Sequence, residues 1–528
     1  VSRYKSAAAI VLAGTVGGTT LTAPAAHAAP APAARSAYDY REIMIPSVGG
    51  AKLDGNVFVP RGKGPHPAVV FISSWTLEDH EYIAQAAKLA ERGYIVLSYT
   101  ARGFFNSGGG IDVAGPNDRA DGSKAIDWLI AHTPVDRARI GLAGISYGSG
   151  ISQIVAAHDA RVAAVVAMDT WGDLVESLYA NETRHMASYA MLAITGRLTG
   201  RLSPETDRIM NDFNANRNVP NLVKWGAVRS PATYRAQLNA RRVPILISNA
   251  YSEMIFAPNQ VVKHFTALTG PKRLNLSIGD HASPHASGIL GVPSRQWDDA
   301  HRWFDHYLRG AANGIDREPQ VAAEVAWNRR IERHRDVPSM TRSVERLGLG
   351  TPAASGDGAL GAVTPAAWRR TLRTGQDSGA TAGFVIVSGG LQTFGIPNQI
   401  DQRRISRRTA AVWSTPVLTV GRRLRGAPRL NLTVTPSGRT GTLVSYLYDV
   451  DAKGNARLIT NEAYSLLRGT PGKPQKVAVN LQTTAFDVPA GHRLMLVVDT
   501  KDPVYADAGR FGQTLSVQSP STLEVPLG

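Results

Sequence analysis

Residues Gly141-Leu142-Ala143-Gly144-Ile145-Ser146-Tyr147-Gly148-Ser149-Gly150 constrain this chain more than any other stretch. They read as a buried strand that ends in Gly-x-Ser-x-Gly and passes directly into a helix of small residues. In such a nucleophile elbow the serine occupies a strained turn that lifts its hydroxyl clear of a sheet. Gly144 and Gly148 lie where a side chain would collide with the neighbouring strand or helix. With 51 glycines in the chain, the bare pattern arises easily by chance. Its context separates it from a Gly-rich turn: Arg139 to Ala143 predicts a strand and Ser149 to His158 a helix, the order the chemistry needs.

A chain of 528 residues exceeds a single core, so two or three domains are expected. Hydrophobic content of 43% against 19% charged places it among globular proteins rather than disordered ones. The first residues predict an export signal, 1–28, and hence a secreted protein. Arg3 and Lys5 give a positive start, Ala7 to Ala13 an apolar stretch, and Ala26-His27-Ala28 a small-x-small cleavage site. Residues 29–37 then read as a flexible lead. No later segment has the roughly 18 apolar residues a spanning helix needs.

The absence of cysteine excludes disulfides, a thiol nucleophile and Cys-based metal sites. No metal or other cofactor is expected. The net charge of +16 raises nucleic acid as a partner, but the charges are arginine-rich and scattered, with no basic stripe interleaved with aromatics. No nucleic-acid partner is expected, and the sequence leaves the oligomeric state open.

From Tyr38 to about Ala167, short β-rich runs alternate with helical stretches. Ala68 to Ile72 and Tyr94 to Tyr99 are unbroken apolar runs, the signature of strands buried on both faces. Helical spacing fills Tyr82 to Arg92 and Asp121 to His132, and Val162 to Met168 is a further strand. This alternation predicts a parallel sheet covered on both sides. Residues 171–242 are mostly helical in character, the position of a cap inserted above the sheet. The sheet resumes at Pro244 to Ile247 and Leu274 to Ile278, and a closing helix spans Ser294 to Leu308. The hydrolase domain is therefore drawn at 38–335. A loop-like stretch, Gly348 to Thr364, follows. Beyond it, alternating segments such as Arg429 to Val434 and Leu443 to Tyr448 predict an antiparallel β-sandwich over 336–528. The fold class is thus α/β, an α/β-hydrolase core with a helical cap, followed by an all-β sandwich.

A serine hydroxyl becomes a nucleophile only when a base takes its proton, and the base needs an acid to hold its tautomer. On this fold the chain order is Ser, then Asp or Glu, then His. Glu253 stands in the loop after the Pro244 strand, and His281 in the loop after the Leu274 strand. Ser146, Glu253 and His281 meet both the order and the strand-end requirement. Asp280, Asp169 and Asp173 are rival acids, and His285 and His301 rival bases. The oxyanion donors are expected at the N–H of Tyr147 and in the loop Ser73-Ser74-Trp75, with Trp75 as the second donor or a wall residue. Arg102 to Gly108 is expected to be a structural turn bordering the site.

These residues match a family. The chain resembles the Xaa-Pro dipeptidyl-peptidase and cocaine-esterase family of α/β-hydrolases, similar to peptidase family S15. The resemblance rests on the opening Ile45 to Gly55, on Thr100 to Gly108, on the Ser146 elbow, on Glu253 to Gln260 and on Trp303 to Val321. Trp413 to Leu418 resembles the start of the family's C-terminal jelly roll. The resemblance implies three parts (core, helical cap and jelly roll) and cleavage of an acyl bond in a small peptide or ester. The family's usual acid is Asp where Glu253 stands. Some members place a Tyr hydroxyl in the oxyanion hole where this chain has Trp75.

The leading reading is a secreted serine hydrolase working through an acyl-enzyme, of Xaa-Pro dipeptidyl-peptidase type, with a cocaine-esterase-type carboxylesterase as the alternative. An exopeptidase must pair the substrate's ammonium with a carboxylate, and Glu176 or Glu182 in the cap is the candidate. The alternative from another class is a non-catalytic carbohydrate or cell-wall binder on a hydrolase scaffold.

Overall fold

The computed structural model describes residues 36–353, 356–362 and 366–528. The predicted signal peptide, most of the flexible lead and parts of the Gly348–Thr364 stretch lie outside the described residues. Ala37–Gly528 form one compact unit.

Ten strands build the first sheet: β1 (Tyr38–Pro46), β2 (Lys52–Pro60), β3 (His66–Ile72), β4 (Ile95–Tyr99), β5 (Val135–Ile145), β6 (Val162–Met168), β7 (Ile245–Ala250), β8 (Lys272–Ser277), β9 (Val321–Glu324) and β10 (Ile331–His334). Their spatial order is β1-β2-β4-β3-β5-β6-β7-β8-β9-β10. Pairing from β4 through β9 is parallel, and the antiparallel pairs lie at the two ends. The apolar runs are explained by this placement. On β3, Val70 and Ile72 enter one hydrophobic cluster while Val69 and Phe71 enter another on the opposite face. Alternate side chains of a strand leave on opposite sides, so a strand covered twice has no polar face.

Helices α1 (Ile83–Glu91), α2 (Pro116–His132) and α3 (Tyr147–His158) cover the first half of the sheet. Five more, α4 (Leu174–Leu178), α5 (Met186–Thr199), α6 (Pro204–Asn214), α7 (Val219–Val228) and α8 (Arg235–Ala240), fall between β6 and β7 and form the cap. After β7 come α9 (Pro258–Ala267), α10 (Ala286–Ile289) and the closing helix α11 (Arg295–Arg309). On α11, Trp303, Phe304 and Leu308 pack on the same face of the sheet as Ala86 and Leu89 of α1. No helix among the described residues is long and apolar enough to cross a membrane.

The sheet extends two strands beyond the sequence reading. β9 and β10 are four residues each, too short for their alternation to register as strands. From Ser343 onward the regular structure of the described residues is mostly β. The stretch expected to be loop contains the end of Ser343–Leu349 and all of Gly358–Gly361, which pair with each other. Two layers of strands face each other across one core. Leu430, Val477 and Val517 come from one layer, Leu447, Leu496 and Val498 from the other.

An ion-pair network fastens this β unit to the hydrolase sheet. Arg425, with 0% of its side chain exposed, donates to Glu332 on β10 at 2.6 and 3.0 Å and to Asp487 at 2.7 Å. The Glu332 carboxyl is held far below the usual carboxylate range, first by the hydrogen bonds from Arg425 and then by Arg330 and Arg423. Removing Arg425 takes away its charged hydrogen bonds but leaves Glu332 paired with Arg330 and Arg423. Arg425→Ala is therefore expected to lower unfolding free energy by about 1.5–3 kcal/mol, read by urea denaturation. A change under about 1 kcal/mol, the range of exposed pairs, would show that the network contributes little.

Candidate active site

Strand β5 becomes helix α3 with a single residue between them. That residue, Ser146, is forced to φ 54° and ψ −119°. For a residue with a Cβ this is strained backbone, a cost of order 1–3 kcal/mol. The glycines make the turn feasible. A Cβ on Gly148 would be driven into the Ile72 carbonyl, and one on Gly144 into the backbone of Gly148 and Ser149. The hydroxyl of Ser146 stands at the C-terminal edge of the parallel strands.

The loops after β7 and β8 bring two side chains to it. His281 Nε2 lies 2.7 Å from Ser146 Oγ, and His281 Nδ1 lies 2.8 Å from Glu253 Oε2. Glu253 is nearly buried, and its other oxygen accepts from the N–H groups of Ile255 and Phe256 at 2.9 and 3.1 Å. That local turn fixes the Glu253 carboxylate. Burial disfavours the charged imidazole of His281, but the charge and hydrogen bond of Glu253 outweigh it and raise its pKa to about 9.

The rival residues take other places. Asp280 is fully buried beside His281 and does not reach the imidazole. Its Oδ1 accepts from the N–H of His281 at 2.8 Å and of Met254 at 3.0 Å. Its Oδ2 accepts from Ile386 of the β unit at 3.0 Å. One carboxylate thus joins the histidine loop, the acid loop and the segment before helix α12 (Val387–Gln392). Gly389 of that helix packs so closely on Asp280 that a Cβ there would overlap it. Burial, and then the charge of Glu253, push the Asp280 carboxyl up to about 7.

Asp169 and His285 form a second relay with Ser248. His285 Nδ1 is 2.6 Å from Asp169 and its Nε2 is 2.8 Å from Ser248 Oγ. All three are 0% exposed, so no substrate reaches them. Asp169 also accepts from Ala282 N–H at 2.9 Å, which braces the loop carrying His281. Asp173 caps α4 through Val175 and Glu176 N–H, and His301 is buried in α11.

Tyr147, the residue after the serine, turns its ring into the core. Its hydroxyl donates to Asp118 at 2.7 Å and accepts from Ala114 N–H at 3.0 Å. Burial first, and neighbouring acids second, raise Asp118 to about 8. The indole N–H of Trp75 donates to Leu192 O on α5 at 3.1 Å, and the ring packs edge-on against Phe104 and Tyr147. The indole N–H is therefore committed to the cap, so Trp75 has only its main-chain N–H to donate to a substrate, while the residue also lines the chamber. Among the described residues, the main-chain N–H groups of Trp75 and Tyr147 donate to no protein acceptor. Arg102 is a buried ion-pair partner of Asp121, at 2.6 Å through each of two nitrogens, which makes its loop structural.

Above Ser146, beneath the cap, lies a chamber of about 120 Å³. Trp171, Leu178, Leu192, Phe213 and Trp225 are among its walls. Glu176 and Glu182 are not. Glu176 pairs with Lys263, and Glu182 is exposed. No pattern along the chain marks the Asp280 clamp beyond its neighbouring histidine, and none marks Ile386, which carries no reactive group.

A covered parallel sheet, a serine at a strained strand-to-helix turn and an inserted helical cap define an α/β-hydrolase. Residues 49–283 match the model of the S15 family, X-Pro dipeptidyl-peptidase, and residues 313–524 match that family's C-terminal non-catalytic domain. The chain belongs to this family. A Streptomyces avermitilis protein, provisionally named Xaa-Pro dipeptidyl-peptidase, is 24% identical over 526 residues, covering 83% of this chain and 71% of the relative. A CocE/NonD family hydrolase from Staphylococcus aureus has a similar structure, with TM-score 0.71 and 12% identity over 93% of this chain and 94% of that one. An α-amino acid ester hydrolase gives TM-score 0.68 and 16% identity over 95% and 98% of the two chains. At these identities the solved structures establish shared fold.

The histidine's environment is testable without substrate. In NMR titration the His281 ring should titrate well above the ordinary 6.5. Glu253→Gln removes the largest influences that raise it and leaves the burial that lowers it, with only the charges of Asp169 and Asp280 still raising it, so the variant should titrate well below wild type. An unmoved value would show that Glu253 does not govern the imidazole.

Proposed function

We propose that this chain is a serine hydrolase that transfers an acyl group first to Ser146 and then to water. The observation that carries the reading is the unbroken relay from Glu253 through His281 to the Ser146 hydroxyl, at 2.8 and 2.7 Å. Ser146 Oγ attacks the carbonyl carbon of an ester or amide while its proton passes to His281 Nε2. Glu253 holds the imidazole tautomer and stabilises the imidazolium. The negative charge on the former carbonyl oxygen is met by the N–H groups of Tyr147 and Trp75. One such donor is worth about 10²–10³ in rate. The C–O or C–N bond then breaks, and the leaving group departs with the proton from His281. Water enters with His281 as its base, the ester to Ser146 is cleaved, and the acid leaves with serine restored. No cofactor takes part in these steps.

Of the two substrate types the family resemblance implies, the lining of the chamber supports esters and N-blocked amides over a free Xaa-Pro dipeptide. Neither Glu176 nor Glu182 lines the chamber to pair with an ammonium. Residues 1–28 carry the further proposal that the enzyme is secreted. Protein recovered from culture medium should begin at Ala29, and an intact leader in the cell fraction alone would contradict export.

A small alkyl fluorophosphonate tests the chemistry. Wild type should be labelled on Ser146, and Ser146→Ala should give no adduct. Because only the neutral imidazole accepts the proton and His281 is raised to about 9, the labelling rate should climb from pH 6 toward about pH 9. Folded wild-type protein that resists the probe would exclude the mechanism and favour a binding protein.

A further inference from the structure

We propose that Glu81 is a positioning residue for the oxyanion hole: a neutral carboxylic acid that locks Ser74, and with it the main-chain N–H of Trp75, to the end of β5. This rests on the serine-hydrolase reading above and adds the group that aims its second donor. The need for a lock follows from where the sheet stops. Pairing of β3 with β5 ends at Phe71 and Ala143, short of Ile145. Ile145 is buried and directly precedes the nucleophile. A buried main-chain group left without a partner costs about 1–3 kcal/mol.

Side chains take over where the strand has run out. The Ile145 N–H donates to the Tyr82 hydroxyl at 2.8 Å, and the Ile145 carbonyl accepts from Ser74 Oγ at 3.0 Å. Glu81 stands beside Tyr82 in the short turn Asp79–Tyr82 and holds Ser74 at two places. Its Oε2 accepts from the Ser74 N–H at 2.7 Å, and its Oε1 lies 2.6 Å from Ser74 Oγ.

A single proton decides the state of the acid. The Ser74 hydroxyl has one to give. With Glu81 ionised, two acceptors compete for it and one contact stays empty. With Glu81 protonated, the acid donates to Ser74 Oγ, Ser74 donates to the Ile145 carbonyl, and Oε2 still accepts from the Ser74 N–H. Every contact is then used. Burial acts in the same sense and raises the carboxyl to about 7, against the hydrogen bonds of Ser74 and Tyr82 and the charge of His281.

The lock reaches the donor through one peptide unit. The Ser74 carbonyl accepts from the Leu77 N–H at 3.1 Å. In a trans peptide the N–H points away from the carbonyl, so holding Ser74 also fixes the direction of the Trp75 N–H. Thr76, inside this turn, sits at φ 66°. Such backbone is strained for a β-branched residue and persists only where its surroundings hold it.

Kinetics on p-nitrophenyl acetate at neutral pH test the lock. Glutamine imitates the neutral acid, since its N–H donates to Ser74 Oγ while its oxygen accepts from the Ser74 N–H. Glu81→Gln should therefore keep kcat within about threefold of wild type. Glu81→Ala and Ser74→Ala should each lower kcat by about tenfold or more, part of the 10²–10³ that one oxyanion donor supplies, with KM changed by less than about twofold. The double variant Glu81→Ala/Ser74→Ala should fall no further than the worse single, because both act through one link. Rates of Ser146 labelling by the small fluorophosphonate should follow kcat. Equal losses in Glu81→Gln and Glu81→Ala would overturn the neutral acid. Wild-type kcat in Ser74→Ala would overturn the positioning role, and this variant with Glu81→Gln decides the matter even if Glu81→Ala does not fold. Labelled wild type whose rates ignore these substitutions sinks this inference alone, and unlabelled wild type sinks the serine-hydrolase reading with it.

Discussion

The turn at Ser146 joins strand to helix in one residue, and this is possible only where two backbones come closer than side chains allow. Gly148 lies against the carbonyl of Ile72, and Gly144 against the start of α3. That contact presses the helix onto the sheet and holds the serine at positive φ. It also sets the main-chain N–H of Tyr147 beside the serine. The Tyr147 hydroxyl, anchored on Asp118, keeps the helix start from relaxing. The strain at one residue is balanced by burial on both faces of β5, with Leu142 enclosed on one side and Ala143 and Ile145 on the other.

The two remaining members of the relay come from loops, and loops do not hold 2.7 Å distances unaided. Two buried carboxylates supply the missing rigidity. Asp169, from the end of β6, braces the backbone just beyond His281. Asp280 gathers N–H groups from the histidine loop, the acid loop and the β unit. A carboxylate accepting several N–H bonds in a dry environment is costly to disturb, because each lost bond leaves a buried donor unpaired. The β unit is thus part of the site's support and not an appendage to it. Arg425 makes the same connection farther from the serine, through Glu332.

Much of this was legible along the chain. The elbow is a local pattern, since strand, turn and helix are consecutive in sequence. The apolar runs of β3, β4 and β6 announce burial on both faces. The order serine, acid, histidine follows from strand-end positions that periodicity alone locates. The short strands β9 and β10 were missed because four residues carry too little alternation. Trp75 is legible as a residue of the loop after β3, yet the direction of its indole depends on α5, more than a hundred residues away, whose Leu192 carbonyl accepts from the indole N–H. Glu176 and Glu182 have the right chemistry for an ammonium but do not line the chamber, which neither the five-residue α4 nor the short turn Ala180–Glu182 could reveal by spacing.

By itself the sequence determined the class of fold, the place of the strained turn at Ser146 and the chain order of the residues that meet it, because these depend on neighbours in sequence or on burial patterns within single elements. Only the tertiary structure decided which carboxylate meets which histidine. Two Asp/Glu–His–Ser relays lie near one another, and the choice between them rests on exposure, a property of how distant segments cover each other. The character of the chamber was likewise decided in three dimensions. Its walls come from separate cap helices, and the absence of an acid among them is a fact about their packing rather than their composition.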